Sequence, residues 1–130
     1  MIHLDTSFLV RGLVRGSAED RLLRTWLRSG QSLGASAIVW TEFLCGPVED
    51  REIELAKSLI SERVDFTADD AAVAARLFNE SGRRRGTLAD CMIAATALGR
   101  GVALATENGA DFRRFSDAGL EVLEARSARR

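Results

Sequence analysis

The chain has 130 residues, of which 46% are hydrophobic and 28% are charged, and its formal net charge at pH 7 is −1. This size and composition predict one globular domain with a hydrophobic core, and they exclude a disordered chain and a two-domain protein. Because the net charge is close to zero, any affinity for nucleic acid must come from a local patch and not from the overall field.

The first half of the chain contains apolar residues at the spacing of two short strands and four helices. The strands are predicted at 1–4 and 32–35, and the helices at 6–14, 18–30, 37–45 and 49–62. Ser17 and Ser36 are N-cap candidates, because a serine hydroxyl accepts hydrogen bonds from the free N–H groups of a first helical turn. Gly46 and Pro47 form a strong breaker pair that ends the third helix.

The second half continues the alternation of short strands and longer helices. Strands are predicted at 64–66, 102–105 and 120–123, helices at 68–79 and 88–98, and polar loops at 83–86 and 106–112. Thr67 and Thr87 are the N-cap candidates of these two helices. We therefore expect a single α/β domain, with a mostly parallel sheet of four to five short strands and helices on both faces.

The apolar runs, the cysteines and the histidine of the sequence limit the possible cellular compartment and the possible chemistry. No apolar run is long enough to cross a membrane and the first residues show no basic leader, so we expect a cytoplasmic protein. Cys45 and Cys91 lie in apolar helical segments without metal-ligand spacing and are predicted to be reduced core thiols. The single histidine, His3, lies in the first strand, where a packed core or surface residue is expected.

The helix after Thr87 is apolar on most sides and carries one charged residue, Asp90, within the run 89–98. A carboxylate in apolar surroundings is unfavourable unless something pairs with it. Asp90 therefore either caps backbone donors, as the acidic half of a capping box with Thr87, or binds a cation.

Three other acidic residues are predicted to meet Asp90 at one edge of the sheet. Asp5 ends the first strand, Asp111 follows the strand that ends at Thr106, and Glu42 lies on the helix 37–45. The carboxyl ends of parallel strands share an edge, and the N-termini of the crossover helices lie there too. We therefore expect the four acids to converge on a single pocket.

Four converging carboxylates without lysine or histidine would repel one another and are tolerated chiefly around a divalent cation. Oxygen ligands alone suit Mg²⁺ or Mn²⁺. Such ions activate bound water and stabilise the attacking and leaving oxygens of a phosphodiester. The four acids therefore predict metal-dependent phosphodiester cleavage without a protein nucleophile.

Each acid also has an alternative structural explanation. Asp5 is a favoured N-cap residue for the helix that begins at Thr6, and Asp111 has the same option in the turn that follows it. Glu42 lies among large apolar residues, where a buried carboxylate needs a partner, but the exposed edge of an amphipathic helix would also accommodate it. At the level of sequence these alternatives stay open.

Four short blocks carry one of these acids each. The blocks are IHLDTSFL with Asp5, SAIVWTEFLCG with Glu42, LADCMIAATA with Asp90 and TENGADF with Asp111. In this order, and in a chain of this length, they resemble the PIN-domain ribonucleases and in particular the VapC-type toxins of bacterial toxin–antitoxin pairs. The resemblance runs from Met1 to about Leu123, and between the second and third block it extends only to length and helicity.

The resemblance implies a PIN-like three-layer α/β/α nuclease domain over residues 1–125, followed by a basic tail at 126–130. It implies an endoribonuclease that depends on Mg²⁺ or Mn²⁺ and acts on RNA. It further implies a cognate antitoxin that blocks the site, often by inserting an arginine among the acids. The implied assembly is a homodimer, or a hetero-oligomer with the antitoxin.

The resemblance also implies roles for individual residues. Asp5, Asp90 and Asp111 would hold the main metal ion, and Glu42 would hold a second ion or orient the attacking water. Hydrogen bonds to these ligands would come from Thr6, Ser7, Thr106 and Asn108. Contacts to RNA phosphates, with a solvated loop as the alternative, would come from Arg83, Arg84 and Arg85.

Three other functions compete with this interpretation. A metal-dependent phosphatase with Asp5 as nucleophile fits poorly, because the common form needs a second aspartate two residues on, where this chain has Ser7. A receiver domain would need a lysine late in the chain, and the only lysine is Lys57 in a central helix. A degenerate domain that only binds a partner or RNA is disfavoured by the complete set of acids.

Overall fold

Five short parallel strands form the centre of the structure, a computed structural model that describes residues 1–125. The strands are β1 (Ile2–Leu4), β2 (Leu33–Ser36), β3 (Glu62–Val64), β4 (Ala103–Ala105) and β5 (Val122–Leu123). Their order across the sheet is β3-β2-β1-β4-β5, so β1 lies in the centre. The predicted α/β fold with a parallel sheet is confirmed, whereas the predicted tail at 126–130 lies outside the described residues.

Seven helices connect these strands in the described part of the chain. They are α1 (Thr6–Gly12), α2 (Ala18–Arg28), α3 (Ala37–Cys45), α4 (Asp50–Leu59), α5 (Ala68–Glu80), α6 (Leu88–Arg100) and α7 (Gly109–Arg113), and a 3₁₀ turn follows at Ser116–Ala118. Each crossover enters its first helix at the carboxyl edge of the sheet, because every neighbouring strand pair is parallel. None of the helices within residues 1–125 combines the length and the apolar character that crossing a bilayer requires.

Side-chain caps begin three helices where the sequence predicts them. The Ser17 hydroxyl accepts a hydrogen bond from the Asp20 N–H at 2.9 Å, and the Ser36 hydroxyl accepts one from the Val39 N–H at 3.1 Å. Thr67 begins α5 with a capping box. Because each cap satisfies donors that the helix itself leaves free, these residues determine where the helices start.

Most predicted boundaries differ from the structure by a few residues, and two predictions misplace an element. The strand predicted at 64–66 shares only Val64 with β3. β3 begins at Glu62, inside the predicted helix 49–62, because its backbone pairs with β2, where Gly34 lies opposite Glu62. Glu62 and Arg63 are exposed, so hydropathy does not mark this strand. The predicted polar loop at 106–112 contains most of α7, a helix whose Phe112 is only 2% exposed. A helix this short depends on tertiary packing and leaves little periodic signal.

The two cysteines lie in different environments. Cys91 is buried in α6, as predicted, whereas Cys45 is exposed, so its prediction as a core thiol is wrong. The reason is that α3 buries only one face, with Val39 and Phe43, and Cys45 lies outside that face. Leu44, next to Cys45, is 44% exposed.

His3 is a core residue of β1, with 2% of its surface exposed. It packs beside Gly34 of β2, where a Cβ atom would approach the His3 Cδ2 atom to 2.8 Å. The missing side chain of Gly34 therefore provides the space for the imidazole ring. Of the two predicted positions, core or surface, His3 therefore occupies the core.

Candidate active site

The carboxyl edge of the sheet opens into a cavity of about 440 Å³, which we call the acidic pocket. Its walls come from α1, α3, α6 and α7 and from the segments that follow β1 and β4. The lining residues are Asp5, Thr6, Ser7, Val10, Arg11, Glu42, Asp90, Ile93, Glu107, Asn108 and Phe112. The acidic pocket thus brings together Asp5, Glu42 and Asp90 from three distant segments.

Asp5 is both the N-cap of α1 and a wall of the acidic pocket. Its Oδ1 atom accepts hydrogen bonds from the Phe8 N–H at 2.9 Å and from the Ser7 hydroxyl at 2.8 Å. Burial raises the pKa of Asp5 above its usual value, and the charge of Glu42 adds to this rise. Hydrogen bonds to the carboxylate, above all the one from Thr106, act in the opposite direction. The capping explanation of Asp5 is therefore correct and compatible with a place in the pocket.

A hydroxyl network joins the end of β4 to the end of β1. Thr106 donates a hydrogen bond to the Asp5 Oδ2 atom at 2.5 Å and accepts one from the Asn108 N–H at 2.9 Å. The Ser7 hydroxyl accepts a hydrogen bond from the Glu107 N–H at 3.2 Å. Both carboxylate oxygens of Asp5 are therefore engaged, and its orientation is set by two strand ends at once.

Glu42 is exposed on α3, at the edge of the face that buries Val39 and Phe43. Its Oε1 atom accepts a hydrogen bond from the Thr6 hydroxyl at 2.6 Å. The alternative explanation, an exposed edge of an amphipathic helix, thus describes the position of Glu42 correctly. That edge borders the acidic pocket, so the exposed carboxylate can meet a ligand.

Asp90 lies in the first turn of α6, and 32% of its side chain is exposed. Its pKa is raised to about 6, chiefly by burial. The positive charge of Arg114 acts against this rise, and the negative charges of Asp111, Glu42 and Asp5 add to it. The capping explanation of Asp90 is wrong, because Thr87 makes no side-chain capping hydrogen bond. The Thr87 hydroxyl instead donates to a backbone carbonyl of the preceding loop at 2.7 Å.

Asp111 lies in the first turn of α7 and is exposed. It does not belong to the lining of the acidic pocket, which in this segment comes from Glu107, Asn108 and Phe112. Its charge nevertheless contributes to the raised pKa of Asp90. The role of Asp111 as a metal ligand therefore stays a prediction.

The structure also places two arginines beside these acids that the sequence pattern did not single out. Arg114 Nη2 lies 3.8 Å from Asp90 Oδ2. Arg11 lines the acidic pocket, and its Nε atom lies 3.6 Å from Glu107 Oε1 and 3.8 Å from Glu19 Oε1. No motif or periodicity marks either arginine, because each partner lies far away in the chain or in a different element.

The three arginines of the loop before α6 are exposed. Arg83 has a positive φ of 55° and donates a hydrogen bond to Asn79 Oδ1 at 2.6 Å. Arg84 and Arg85 precede the helix end that carries Asp90. Their contact with RNA stays a prediction, and their place at the same sheet edge as the acidic pocket is compatible with it.

The acids of the pocket satisfy only part of the coordination that a divalent cation needs. Within residues 1–125, no group of three or more histidine, cysteine, aspartate or glutamate side chains is close enough to hold a metal ion. The available donors are nevertheless carboxylate and hydroxyl oxygens, which Mg²⁺ and Mn²⁺ prefer. Mg²⁺ usually keeps several waters and binds one or two carboxylates directly. The residues therefore fit a hydrated cation and not one fully enclosed by protein ligands.

Comparisons with known proteins agree on one family and one fold. Residues 2–118 match the PIN domain family. The chain is 35% identical over 136 residues to Ribonuclease VapC1 of Rickettsia felis, which covers 95% of this chain and 96% of that protein. The crystal structure of VapBC2 from Rickettsia felis, bound to a DNA fragment from its promoter, has a TM-score of 0.75 at 20% identity and covers 95% of this chain and 98% of its own. A toxin–antitoxin complex from Klebsiella pneumoniae has a TM-score of 0.73 at 23% identity, with coverages of 96% and 98%.

Proposed function

Because the chain belongs to the PIN domain family, we propose that it is a VapC-type endoribonuclease, the toxin of a toxin–antitoxin pair, that cleaves RNA with Mg²⁺ or Mn²⁺. The observation that supports this most is the convergence of Asp5, Glu42 and Asp90 on the acidic pocket. The charge of Glu42 raises the pKa of Asp5, and the charges of Glu42 and Asp5 raise the pKa of Asp90, so these charges interact and favour a bound cation. A cytoplasmic location, where RNA is accessible, belongs to the same proposal.

The proposed site divides the work between ligands and the side chains that orient them. The cation, which supplies positive charge at the phosphate and lowers the pKa of a bound water, would be held by Asp5, Glu42, Asp90 and Asp111. Thr106 and Ser7 fix the Asp5 carboxylate through hydrogen bonds to both of its oxygens. Thr6 orients Glu42 through one hydrogen bond, to its Oε1 atom. Because these hydroxyls already bind the acids, little reorganisation is required when substrate enters.

The proposed RNA contacts surround the acidic pocket. Arg84 and Arg85 are exposed in the loop before α6, and Arg11 lies in the wall of the pocket. Arginines bind phosphate through planar, bidentate hydrogen bonds. We therefore place the RNA backbone across the mouth of the pocket, with a phosphate between the acids and these arginines.

A cognate antitoxin completes the proposal. A positively charged segment that entered the acidic pocket would neutralise its acids and exclude both RNA and the cation. We propose that residues 1–125 are sufficient for cleavage, and that the protein forms a homodimer or a hetero-oligomer with its antitoxin. Light scattering of the protein with and without the antitoxin measures both assemblies.

Cleavage of total RNA tests this function. The protein is incubated with Mg²⁺, with Mn²⁺ or with EDTA, and the cleaved ends are counted by sequencing. We expect cleavage only with a divalent cation, and no cleavage by the Asp90→Asn variant, which keeps the fold. Asp117→Asn, an exposed acid of the 3₁₀ turn, is the matched control and should cleave normally. Cleavage that persists in Asp90→Asn would contradict the assignment.

The spacing of the acids favours one competing function. Because no three of them within residues 1–125 are close enough to hold an ion, a metal-independent domain that only binds RNA or a partner is the second candidate. That candidate predicts RNA binding without cleavage under every metal condition. Turnover of a small phosphoester without RNA cleavage would instead indicate a phosphatase.

A further inference from the structure

Arg114 is a cation held close to Asp90 by the end of α7. Only 17% of its side chain is exposed. Its guanidinium carbon lies 4.7 Å from the ring centroid of Phe115, which is itself 2% exposed. A planar guanidinium stacked on a buried ring has little freedom to move. Arg114 therefore presents a positive charge in a fixed place.

Two nitrogens of this guanidinium lack a hydrogen-bond partner in the described part of the chain. Both Nε and Nη2 of Arg114 are buried and make no hydrogen bond within residues 1–125. Together these atoms form one edge of the guanidinium, the edge that binds a carboxylate through two parallel hydrogen bonds. Buried donors without acceptors are unfavourable, so this edge requires an acceptor.

Asp90 is the carboxylate that the structure pairs with this edge. Its Oδ2 atom lies 3.8 Å from Arg114 Nη2, which is an ion pair but too long for a hydrogen bond. Two parallel hydrogen bonds require the Asp90 carboxylate to come closer to this edge. Arg114 does not line the acidic pocket, and its buried nitrogens are closed to an RNA phosphate in solvent.

We propose that Arg114 is a positioning residue that binds the Asp90 carboxylate when no divalent cation is present and releases it to the acidic pocket when a cation binds. The second half of this proposal rests on the metal-dependent function proposed above. Arg114 and the cation compete for the same two oxygens, so each weakens the hold of the other. When no cation is bound, Arg114 thereby neutralises one of the acids of the pocket.

A double-mutant cycle in EDTA tests the first half without any metal. The folding equilibrium constant is measured by urea unfolding for the wild type, Arg114→Gln, Asp90→Asn and the double variant. We expect Arg114→Gln to lower this constant about fivefold more in the wild-type background than in the D90N background, as is common for residues in contact. Equal effects in both backgrounds would overturn the pairing.

Arg113→Gln is the matched control, because it removes the same charge from the neighbouring position of the chain. Arg113 pairs with Glu124 and is more exposed than Arg114. Its substitution should therefore have the same effect with and without Asp90. A coupling to Asp90 as large as that of Arg114 would show a general charge effect and would overturn the specific pairing.

Calorimetry with Mn²⁺ tests the second half. Because Arg114 no longer competes, we expect Arg114→Gln to bind Mn²⁺ about fivefold more tightly than the wild type, and Arg113→Gln to bind it equally. Weaker binding by Arg114→Gln would overturn the competition. If the wild type takes up no Mn²⁺, the metal-dependent function and the competition both fail, whereas the pairing is still decided by the cycle in EDTA.

Discussion

The hydroxyl group of Thr106 donates a 2.5 Å hydrogen bond to the Asp5 Oδ2 atom and so links two residues that lie 101 positions apart. The two residues directly follow β4 and β1, which are neighbouring parallel strands with Ala105 opposite Leu4. Thr106 is fully buried, so its hydroxyl has no access to water as a substitute partner. This contact ties the geometry of the site to the register of the sheet.

The first prediction concerns Thr106→Val, which keeps the shape of the side chain and removes its hydroxyl. Asp5 then loses a donor, and the Asn108 N–H loses its acceptor. We expect the free energy of unfolding to fall by about 1–3 kcal/mol, the usual penalty for unsatisfied buried polar groups. Urea unfolding measures this loss. Thr41→Val, which removes an exposed hydroxyl from α3, is the control and should change stability by less than about 0.5 kcal/mol.

The second prediction concerns the pH dependence of Asp90→Asn in metal-free protein. The pKa of Asp90 is about 6 in the folded state, against an ordinary value of 3.8, so ionisation of Asp90 opposes folding above pH 6. This raised pKa already includes the opposing attraction of Arg114, so Asp90→Asn removes a net penalty although it also removes the partner of Arg114. Since 32% of the side chain is exposed, solvent screening reduces the gain to about 1–2 kcal/mol at pH 8.

Asp90→Asn is expected to be more stable than the wild type throughout the range from pH 8 to pH 4, but its advantage becomes smaller as the pH falls. As the pH falls through 6 towards 3.8, Asp90 takes up a proton in the folded protein and the advantage of Asp90→Asn fades. Thermal unfolding of both proteins in EDTA at pH 8 and at pH 4.5 measures the difference. An advantage of equal size at both values would contradict the raised pKa.

The third prediction concerns His3, the only histidine of the chain. Burial, with the nearby charge of Arg100, lowers its pKa from 6.5 to about 4, so the folded protein keeps His3 neutral. The unfolded chain binds this proton below pH 6.5, and stability therefore falls between pH 6.5 and pH 4. We expect the wild type to lose about 2 kcal/mol relative to His3→Leu between pH 7 and pH 4.5.

Paired urea titrations of the wild type and His3→Leu at several pH values measure this loss. The comparison at each pH cancels the contributions of the carboxylates, which are the same in both proteins. The informative quantity is the change with pH and not the stability at pH 7, where repacking also contributes. Parallel curves for the two proteins would exclude His3 as the acid-sensitive group.

The fourth prediction concerns RNA binding by the loop before α6. In the non-cleaving D90N background, replacing both Arg84 and Arg85 by alanine should weaken RNA binding similarly for all sequences. The slope of log affinity against log salt should become shallower by about 1.4, since two phosphate contacts on a single strand are lost. Fluorescence anisotropy at several salt concentrations measures this slope.

A matched double variant controls for the loss of two charges. Arg28 and Arg100 end α2 and α6, the helices that lead into β2 and β4, so they lie at the opposite edge of the sheet. Both are exposed. Replacing them by alanine should leave the salt slope nearly unchanged. Equal slopes for the two double variants would favour the explanation of the loop as a solvated segment.

Much of the fold follows from rules that act between neighbours in the chain. The hydroxyls of Ser36 and Thr67 begin helices where they occur, because a cap needs only the next three residues. The meeting of Asp5 and Thr106 also follows, because parallel strands place their carboxyl ends on one edge. The acids that lie at that edge could therefore be predicted from the sequence.

What only the tertiary structure decided is the distance between these groups. Packing of a helix too short to be stable alone places Arg114 beside Asp90, and the exposure of Cys45 and Glu42 on α3 depends on which face meets the core. The same packing puts three acids around one pocket. Among the described residues, however, no three histidine, cysteine, aspartate or glutamate side chains are close enough to hold an ion. Local sequence determines which residue ends each strand or helix, whereas the separation of side chains depends on contacts between segments that are remote in the chain.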